Sequence, residues 1–209
     1  MTAVEEFRTH LAACALVAII RGVTPDDVEA IGDALVAGGI RIIEVPLNSP
    51  DPLESIRRLS ARLAGRALIG AGTVLEPGQV GEVADAGGRL IVSPDTNASV
   101  IRTTVSAGLV SSPGYFTPSE AFAALEAGAH TLKLFPAEGA SPKFLKAQKA
   151  VLPKHVPVLA VGGISPDNMQ PWLDAGASGF GLGSGLYKPG QSPEETETRA
   201  RAYVEGLRQ

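Results

Sequence analysis

One lysine stands out because hydrophobic side chains flank it on both sides. Lys133 lies between Leu132 and Leu134 in a short apolar run, where burying an ammonium group is costly unless the charge is paired or neutralised. In a strand, period-two alternation would place Thr131, Lys133 and Phe135 on one face and the leucines on the other. Desolvation and a nearby cation would favour the neutral amine, which attacks ketones. The pattern therefore predicts a Schiff-base lysine, with a lysine paired to a structural carboxylate as the alternative.

Two further charged residues end apolar runs. Glu44 follows Ile42-Ile43, and Arg21 follows Ile19-Ile20. A glutamate beside a reactive lysine can shuttle protons directly or through one water, while the planar fork of an arginine suits a carboxylate. Glu44 is thus predicted as a general acid/base, or alternatively as a stabilising ion-pair partner of Arg21. Arg21 either binds the acid group of a substrate or positions Glu44.

Glycine pairs end the last two apolar runs, and they suggest a phosphate site. Backbone N–H groups bind phosphate oxygens where glycine lets the chain approach closely. These pairs, each of which contains at least one glycine and which we call the glycine pairs, are Gly162-Gly163 and Gly183-Ser184. Tight turns are the alternative interpretation. The stretch 179–185 lacks the third glycine of a dinucleotide-binding loop, and the three histidines are too scattered to predict a metal site. Thr73, after a third run, either binds substrate or only ends a strand.

These residues need elements to position them, and the sequence repeats one such unit. Most apolar runs are followed by a proline, an amphipathic stretch and an Ala-Gly pair, which is typical of a strand, a helix start and a helix stop. The predicted stops are Ala37-Gly38, Ala86-Gly87, Ala107-Gly108, Ala127-Gly128 and Ala175-Gly176, and the predicted starts are Pro25, Pro52, Pro77, Pro118, Pro142, Pro166 and Pro193.

Eight apolar runs predict eight buried parallel strands. With no linker or change of composition, they favour a single-domain α/β protein over residues 1–209, a (β/α)8 TIM barrel, with a doubly wound open sheet as the alternative. Catalytic groups of such a barrel lie at the carboxyl ends of its strands. The predicted strands are Leu16–Arg21, Ile40–Val45, Ala67–Thr73, Leu90–Ser93, Leu109–Ser112, Thr131–Phe135, Val158–Gly162 and Gly179–Gly183.

Composition limits the partners of the chain. It has 209 residues, 44% of them hydrophobic and 19% charged, with a net charge of −4, and no basic cluster that would indicate nucleic-acid binding. A single cysteine excludes a disulfide within the chain. The polar, acidic start and the short apolar stretch after it fit neither a signal peptide nor a membrane span. We therefore expect a cytoplasmic protein without membrane or nucleic-acid partners.

Six motifs stand in order along the chain: Ile19–Gly22, Glu44–Pro50, Gly70–Leu75, Lys133–Ala137, Val161–Ile164 and Gly181–Ser184. Together they resemble one family, the aldolases of 2-keto-3-deoxy-6-phosphogluconate and 2-keto-3-deoxy-6-phosphogalactonate. The resemblance covers nearly the whole chain and implies a class I aldolase that acts on a phosphorylated keto acid, needs no cofactor or metal and forms a homotrimer. It implies that Lys133 forms the Schiff base and Glu44 is the general acid/base. It also implies substrate binding by Arg21, Thr73, Pro94, Phe135, Gly162, Gly163, Gly183 and Ser184.

The segment after Glu44 separates two types within this family. Gluconate-type enzymes resemble E-V-T-L-R-T, whereas this chain has Pro46, Asn48 and Ser49, which resembles the galactonate type. The segments 125–128 and 190–192 favour the same type. Gluconate specificity or dual specificity is the alternative within the family. Outside it, a phosphosugar isomerase or synthase on the same barrel, or a non-catalytic phosphosugar-binding protein, would not require an imine.

Overall fold

Nine parallel strand segments form one sheet in the computed structural model, which describes residues 1–207. The last two residues of the predicted domain lie outside the described residues. The sheet order is β5-β4-β3-β2-β1-β9-β8-β7-β6. The segments are β1 (Leu16–Ile19), β2 (Ile42–Pro46), β3 (Leu68–Gly72), β4 (Leu90–Val92), β5 (Val110–Ser112), β6 (Gly114–Tyr115), β7 (Leu132–Leu134), β8 (Val158–Val161) and β9 (Gly179–Leu182).

A short segment that the sequence analysis did not predict, β6, follows the fifth predicted strand and closes the barrel. Pro113 separates β5, which pairs with β4, from β6, which pairs with β7. A proline has no N–H to donate to a ladder, so it interrupts the strand. The backbone N–H groups of Thr131 and Lys133 donate to the carbonyls of Ser111 and Pro113, at 3.3 and 2.9 Å. These bonds join the two edges of the sheet, so the (β/α)8 barrel is confirmed and the open doubly wound sheet is wrong.

Helices follow most strands, and their ends match the predicted signals. Prolines occupy the first turn of five of the helices, but Pro25 lies three residues before α2 and Pro166 begins a short 3-10 helix. The predicted stop at Gly38 is displaced by one residue, because Gly39 has the positive φ, of 103°. The helices are α1 (Ala3–Ala13), α2 (Val28–Ala37), α3 (Pro52–Arg62), α4 (Pro77–Asp85), α5 (Ala98–Ser106), α6 (Pro118–Glu126), α7 (Pro142–Lys149), α8 (Met169–Asp174) and α9 (Pro193–Gly206), with 3-10 helices at Ala137–Gly139 and Pro166–Asn168.

Strand alternation divides the apolar side chains into two cores. Side chains on the outward faces, such as Ile43, Leu132 and Leu134, pack against the helices. Those on the inward faces, such as Ile42 and Leu159, form a separate core inside the barrel. Each strand thus presents one set of side chains to the helices and the other to the interior.

Helix α1, which the sequence analysis did not predict, covers the amino-terminal end of the barrel. A capping box between Thr2 and Glu5 begins it, and Phe7 and Leu11 join the inner core. Full burial of a side chain such as Phe7 stabilises the fold by roughly 1.5–3 kcal/mol. The polar residue Glu6 is also buried and pairs with Arg89. The polar, acidic start is therefore an amphipathic helix that leaves only the opposite end of the barrel open.

Candidate active site

A cleft of about 700 Å³ opens at the carboxyl ends of the strands. Nine of the ten predicted site residues line it, and the tenth, Glu44, lies deeper in the barrel. Several of the nine follow their strands rather than end them, since β1, β3, β8 and β9 finish one or two residues earlier than predicted. The nine are Arg21, Thr73, Pro94, Lys133, Phe135, Gly162, Gly163, Gly183 and Ser184.

Lys133 extends from β7 into the interior of the barrel. Its side chain reaches both the floor of the cleft and a smaller cavity beneath it, so the predicted inward orientation is confirmed. The residue is only 7% exposed, and its Nζ atom lies 4.7 Å from the centre of the Phe135 ring. Burial lowers the pKa of Lys133, with a further lowering from Arg21 and an opposing effect from Glu44. A larger fraction of Lys133 is therefore in the neutral amine form at a given pH than for an exposed lysine.

Glu44 lies on the inward face of β2 and is 2% exposed. It shares with Lys133 and Ser112 a cavity of about 10 Å³, roughly the space that one water molecule occupies. Within residues 1–207 its Oε2 atom has no hydrogen-bond partner. Burial raises the pKa of Glu44, against the attraction of Lys133 and Arg21. A carboxyl and an amine whose pKa values shift toward each other can exchange a proton at low cost.

Gly72, which the sequence analysis did not select, makes room for this carboxylate. A Cβ atom on Gly72 would lie 1.3 Å from Glu44 Oε2 and 2.4 Å from its Cδ, so no other residue fits there while Glu44 keeps its position. Glycine inside a strand often marks such a close approach. The signal in the sequence was Gly70-Ala71-Gly72, two glycines on the inward face of one strand.

Arg21 and Thr73 contact each other above the buried pair of Lys133 and Glu44. The Nη1 atom of Arg21 donates to Asn48 Oδ1 and, at 3.4 Å, to Thr73 Oγ1. Thr73 has φ of 56°, a left-handed conformation that is uncommon for residues other than glycine and clusters at functional sites. The contacts turn the guanidinium toward the ends of β2 and β3, away from the glycine pairs.

The glycine pairs lie on the other side of the cleft. Gly162 and Gly163 have φ of 111° and 66°, and a Cβ on Gly183 would meet no atom within 4 Å. The exposed side chain of Glu138 runs across the first pair, since a Cβ on Gly163 would lie 2.7 Å from Glu138 Cγ. Lys188 also lines this side of the cleft. Sequence analysis missed both charged residues. Glu138 lies in the short 3-10 helix Ala137–Gly139 and Lys188 in a loop, where the periodicity of helices and strands gives no signal.

Pro94 and Phe135 form part of the wall between these two sides. Pro94 follows β4, and its carbonyl approaches Gly114 so closely that a Cβ there would lie 2.2 Å from the oxygen. Phe135 follows β7 and packs against the inner core. Throughout residues 1–207, no three His, Cys, Asp or Glu residues are grouped to hold a metal ion. In the same residues no helix is long and apolar enough to cross a membrane.

Comparison with known proteins finds close relatives over nearly the whole chain. The family model described as KDPG and KHG aldolase matches residues 7–197. The chain is 48% identical to the 2-dehydro-3-deoxy-6-phosphogalactonate aldolase of Escherichia coli (strain K12), over 93% of this chain and 95% of that protein. It is also 48% identical to the probable 2-dehydro-3-deoxy-6-phosphogalactonate aldolase of Rhizobium meliloti (strain 1021), over 90% and 89%. A solved structure described as native KDPGal superposes with a TM-score of 0.91 at 48% identity, over 92% of this chain and 94% of that one.

Proposed function

Because the chain belongs to the KDPG and KHG aldolase family, and is therefore a carbon–carbon lyase, we propose that it cleaves 2-dehydro-3-deoxy-6-phosphogalactonate. The products are pyruvate and D-glyceraldehyde 3-phosphate. The observation that carries the proposal is the buried Lys133 beside Glu44, with burial lowering the pKa of the amine. Such an amine is suited to attack the ketone of a 2-keto acid.

Lys133 begins the reaction as a nucleophile. The neutral amine adds to C2 of the substrate, and the resulting carbinolamine loses water to form an iminium ion. The positive nitrogen of the iminium then accepts electrons from the C3–C4 bond. Lys133 needs no metal for this step, because the protonated imine itself withdraws the electrons.

Glu44 moves the protons that the bond cleavage requires. It takes the proton of the C4 hydroxyl directly or through one water, so that C4 becomes the aldehyde carbon of glyceraldehyde 3-phosphate. The C3–C4 electron pair forms the enamine of pyruvate on Lys133. Protonation at C3 and hydrolysis of the iminium release pyruvate and restore the amine. The raised pKa of Glu44 keeps it able both to accept and to return this proton.

The two anionic ends of the substrate occupy opposite sides of the cleft. Arg21 and Thr73 bind the carboxylate near the ends of β2 and β3, while backbone N–H groups of Gly162, Gly163 and Gly183–Ser184 bind the phosphate, with Lys188 adding a positive charge. Holding both ends fixes the scissile bond over Lys133, and such positioning supplies several kcal/mol of barrier reduction, on the order of the gains of oriented reactions.

Three residues after Glu44 support the galactonate substrate over its C4 epimer. Pro46, Asn48 and Ser49 replace the threonine, arginine and threonine of the gluconate type, and both 48%-identical relatives carry the galactonate name. Pro46 lies two residues after Glu44 on β2 and therefore shares its inward face. A group there can act on the C4 hydroxyl that Glu44 deprotonates.

A homotrimer is part of the proposal, with exposed apolar side chains in support. Leu75 before α4 and Phe122 on α6 are 45% and 46% exposed, and Val105 of the intervening helix α5 is exposed as well. Burial in an interface would remove these side chains from water. Sedimentation should give a trimer, and Phe122→Glu should dissociate it. A monomeric wild-type protein would contradict this part, and the expected cytoplasmic location remains a prediction for cell fractionation.

Imine trapping tests the proposed function. Incubation with pyruvate and borohydride should add one pyruvate-derived mass to Lys133, and Lys133→Met should abolish both the label and the aldol cleavage. Lys149→Met is the matched control, because burial also lowers the pKa of Lys149 but the residue lies on α7, outside the barrel. A label on another lysine would refute the assignment. Turnover without trapping would indicate an isomerase or synthase, and binding without turnover a phosphosugar-binding protein.

A further inference from the structure

The guanidinium of Arg21 is held by residues from two neighbouring loops. Its Nη1 atom donates to Asn48 Oδ1, which follows β2, and to Thr73 Oγ1, which follows β3. An exposed arginine side chain otherwise samples many rotamers, and ordering it has an entropic cost. The two acceptors order the side chain in advance of any ligand.

The backbone beside Arg21 is fixed from the same segment. The N–H of Gly22 donates to Ser49 Oγ at 2.9 Å, and Ser49 is only 8% exposed. The turn that carries Ser49 is itself fastened, because its N–H donates to Pro46 O at 2.9 Å and the N–H of Leu47 donates to Gly72 O at 2.8 Å. The loops that follow β1, β2 and β3 are thus linked around Arg21.

Charge explains why a neutral acceptor is suited to this place. A carbonyl oxygen from Asn48 takes one of the five N–H donors of the guanidinium and leaves its positive charge uncompensated. A carboxylate at position 48 would compete with an anionic ligand for the guanidinium of Arg21, and an arginine at this position would repel that guanidinium. The remaining donors stay available for a carboxylate, which accepts two parallel hydrogen bonds.

We propose that Asn48 and Ser49 are positioning residues, which orient Arg21 to bind the C1 carboxylate of the substrate. The inference rests on the proposed function, and it assigns to these two residues of the galactonate-type segment a role distinct from recognition of the C4 hydroxyl. Because both C4 epimers have the same carboxylate, loss of the Asn48 or Ser49 side chain weakens the binding of both substrates equally. Pro46, on the inward face of β2, is left as the member of the segment that distinguishes the epimers.

Pyruvate trapping measures carboxylate binding separately from catalysis. In Asn48→Ala, the pyruvate concentration for half-maximal borohydride trapping should rise about 10-fold, the scale of one hydrogen bond to a charged group, while labelling at saturation is unchanged. Asn48→Asp should raise it further because the new carboxylate occupies Arg21. Ser49→Ala should raise it less. Acetone, a ketone without a carboxylate, should be trapped equally well by the wild type and all three variants.

Two controls separate positioning from other roles. Asn97→Ala, at the same end of the barrel, removes an amide that caps α5 and bonds to Leu75 O, so it should lower the melting temperature without changing the half-saturating pyruvate concentration. KM for both epimers should rise together in Asn48→Ala with their kcat/KM ratio unchanged. Unaltered pyruvate saturation in Asn48→Ala and Ser49→Ala, equal effects on acetone, or a changed epimer ratio would each overturn the inference. A wild-type protein that traps no pyruvate would instead refute the proposed function.

Discussion

Gly72→Ala tests whether the space for the Glu44 carboxylate is essential. The added methyl carbon would lie 1.3 Å from Oε2 and 2.9 Å from Oε1, whereas non-bonded heavy atoms are most stable at about 3.5–4.0 Å. The carboxylate must therefore move by about 2 Å or β3 must shift away from β2. Either change separates Glu44 from its place below Lys133.

The size of the effect follows from the two consequences of that clash. Overpacking of a buried site costs typically about 1–3 kcal/mol, which corresponds to a melting temperature lower by about 2–12 °C for a chain of this length. Displacing Glu44, the proposed general acid/base, removes a contribution of about 10²–10⁴-fold to the rate. We therefore expect modest destabilisation of Gly72→Ala together with a large loss of kcat, while pyruvate trapping on Lys133 persists.

Two further proteins make the result specific. Gly81→Ala is the matched control, since a Cβ at this exposed position of α4 would meet no atom within 4 Å, and alanine there should stabilise the helix by roughly 0.5–1 kcal/mol. In the double variant Gly72→Ala/Glu44→Ala, the clash disappears, so its melting temperature should exceed that of Gly72→Ala. Wild-type kcat in Gly72→Ala, or purely additive destabilisation in the double variant, would refute the reasoning.

Four other predictions concern the charge pair and the substrate. Glu44→Gln should lower turnover by about 10²–10⁴-fold and still permit trapping of pyruvate; unchanged turnover would leave Glu44 only a structural role. Because Glu44 raises the pKa of Lys133, the pKa of Lys133 should be lower in the same variant. The trapping rate, which rises with pH as the amine loses its proton, should then rise at lower pH than in the wild type, and a rise at higher pH would contradict this coupling. We expect kcat/KM for the galactonate substrate to exceed that for its gluconate epimer by about 10–200-fold. The triple variant Pro46→Thr, Asn48→Arg, Ser49→Thr should move this ratio toward the gluconate epimer without altering trapping at saturating pyruvate, and an unmoved ratio would show that the segment does not select the epimer.

The buried Lys133–Glu44 pair could be predicted from the sequence because its signals are local. Charge inside an apolar run, combined with the period of a strand, was enough to place Lys133 and Glu44 inside a barrel. Segment β6, which follows Pro113, was not predicted. A proline signals the end of β5, but the sequence alone does not say that the next residues form a strand that pairs with a different neighbour.

Contacts between loops were beyond such reasoning. The hydrogen bond from Arg21 to Asn48 joins residues 27 positions apart. Position 72 requires glycine because a side chain on another strand, that of Glu44, lies where a Cβ atom would be. Neither contact has a periodicity, because each depends on how closely two strand ends approach. Helix α1 was missed for a different reason: Glu5 and Glu6 made its sequence look like a polar terminus, although Phe7 and Leu11 share its buried face.

The position of α1 has a consequence for the order of assembly. The surface on which Phe7 and Leu11 pack includes Leu159 and Val161 of β8 as well as inward side chains of earlier strands. A ribosome produces α1 before any of these strands, yet this surface is incomplete until β8, which ends at Val161, has been synthesised. Although α1 precedes the strands that it covers, it thus completes its docking only after they have come together, and the cavity beside Glu44, which Phe7 also lines, is sealed from solvent at that late step.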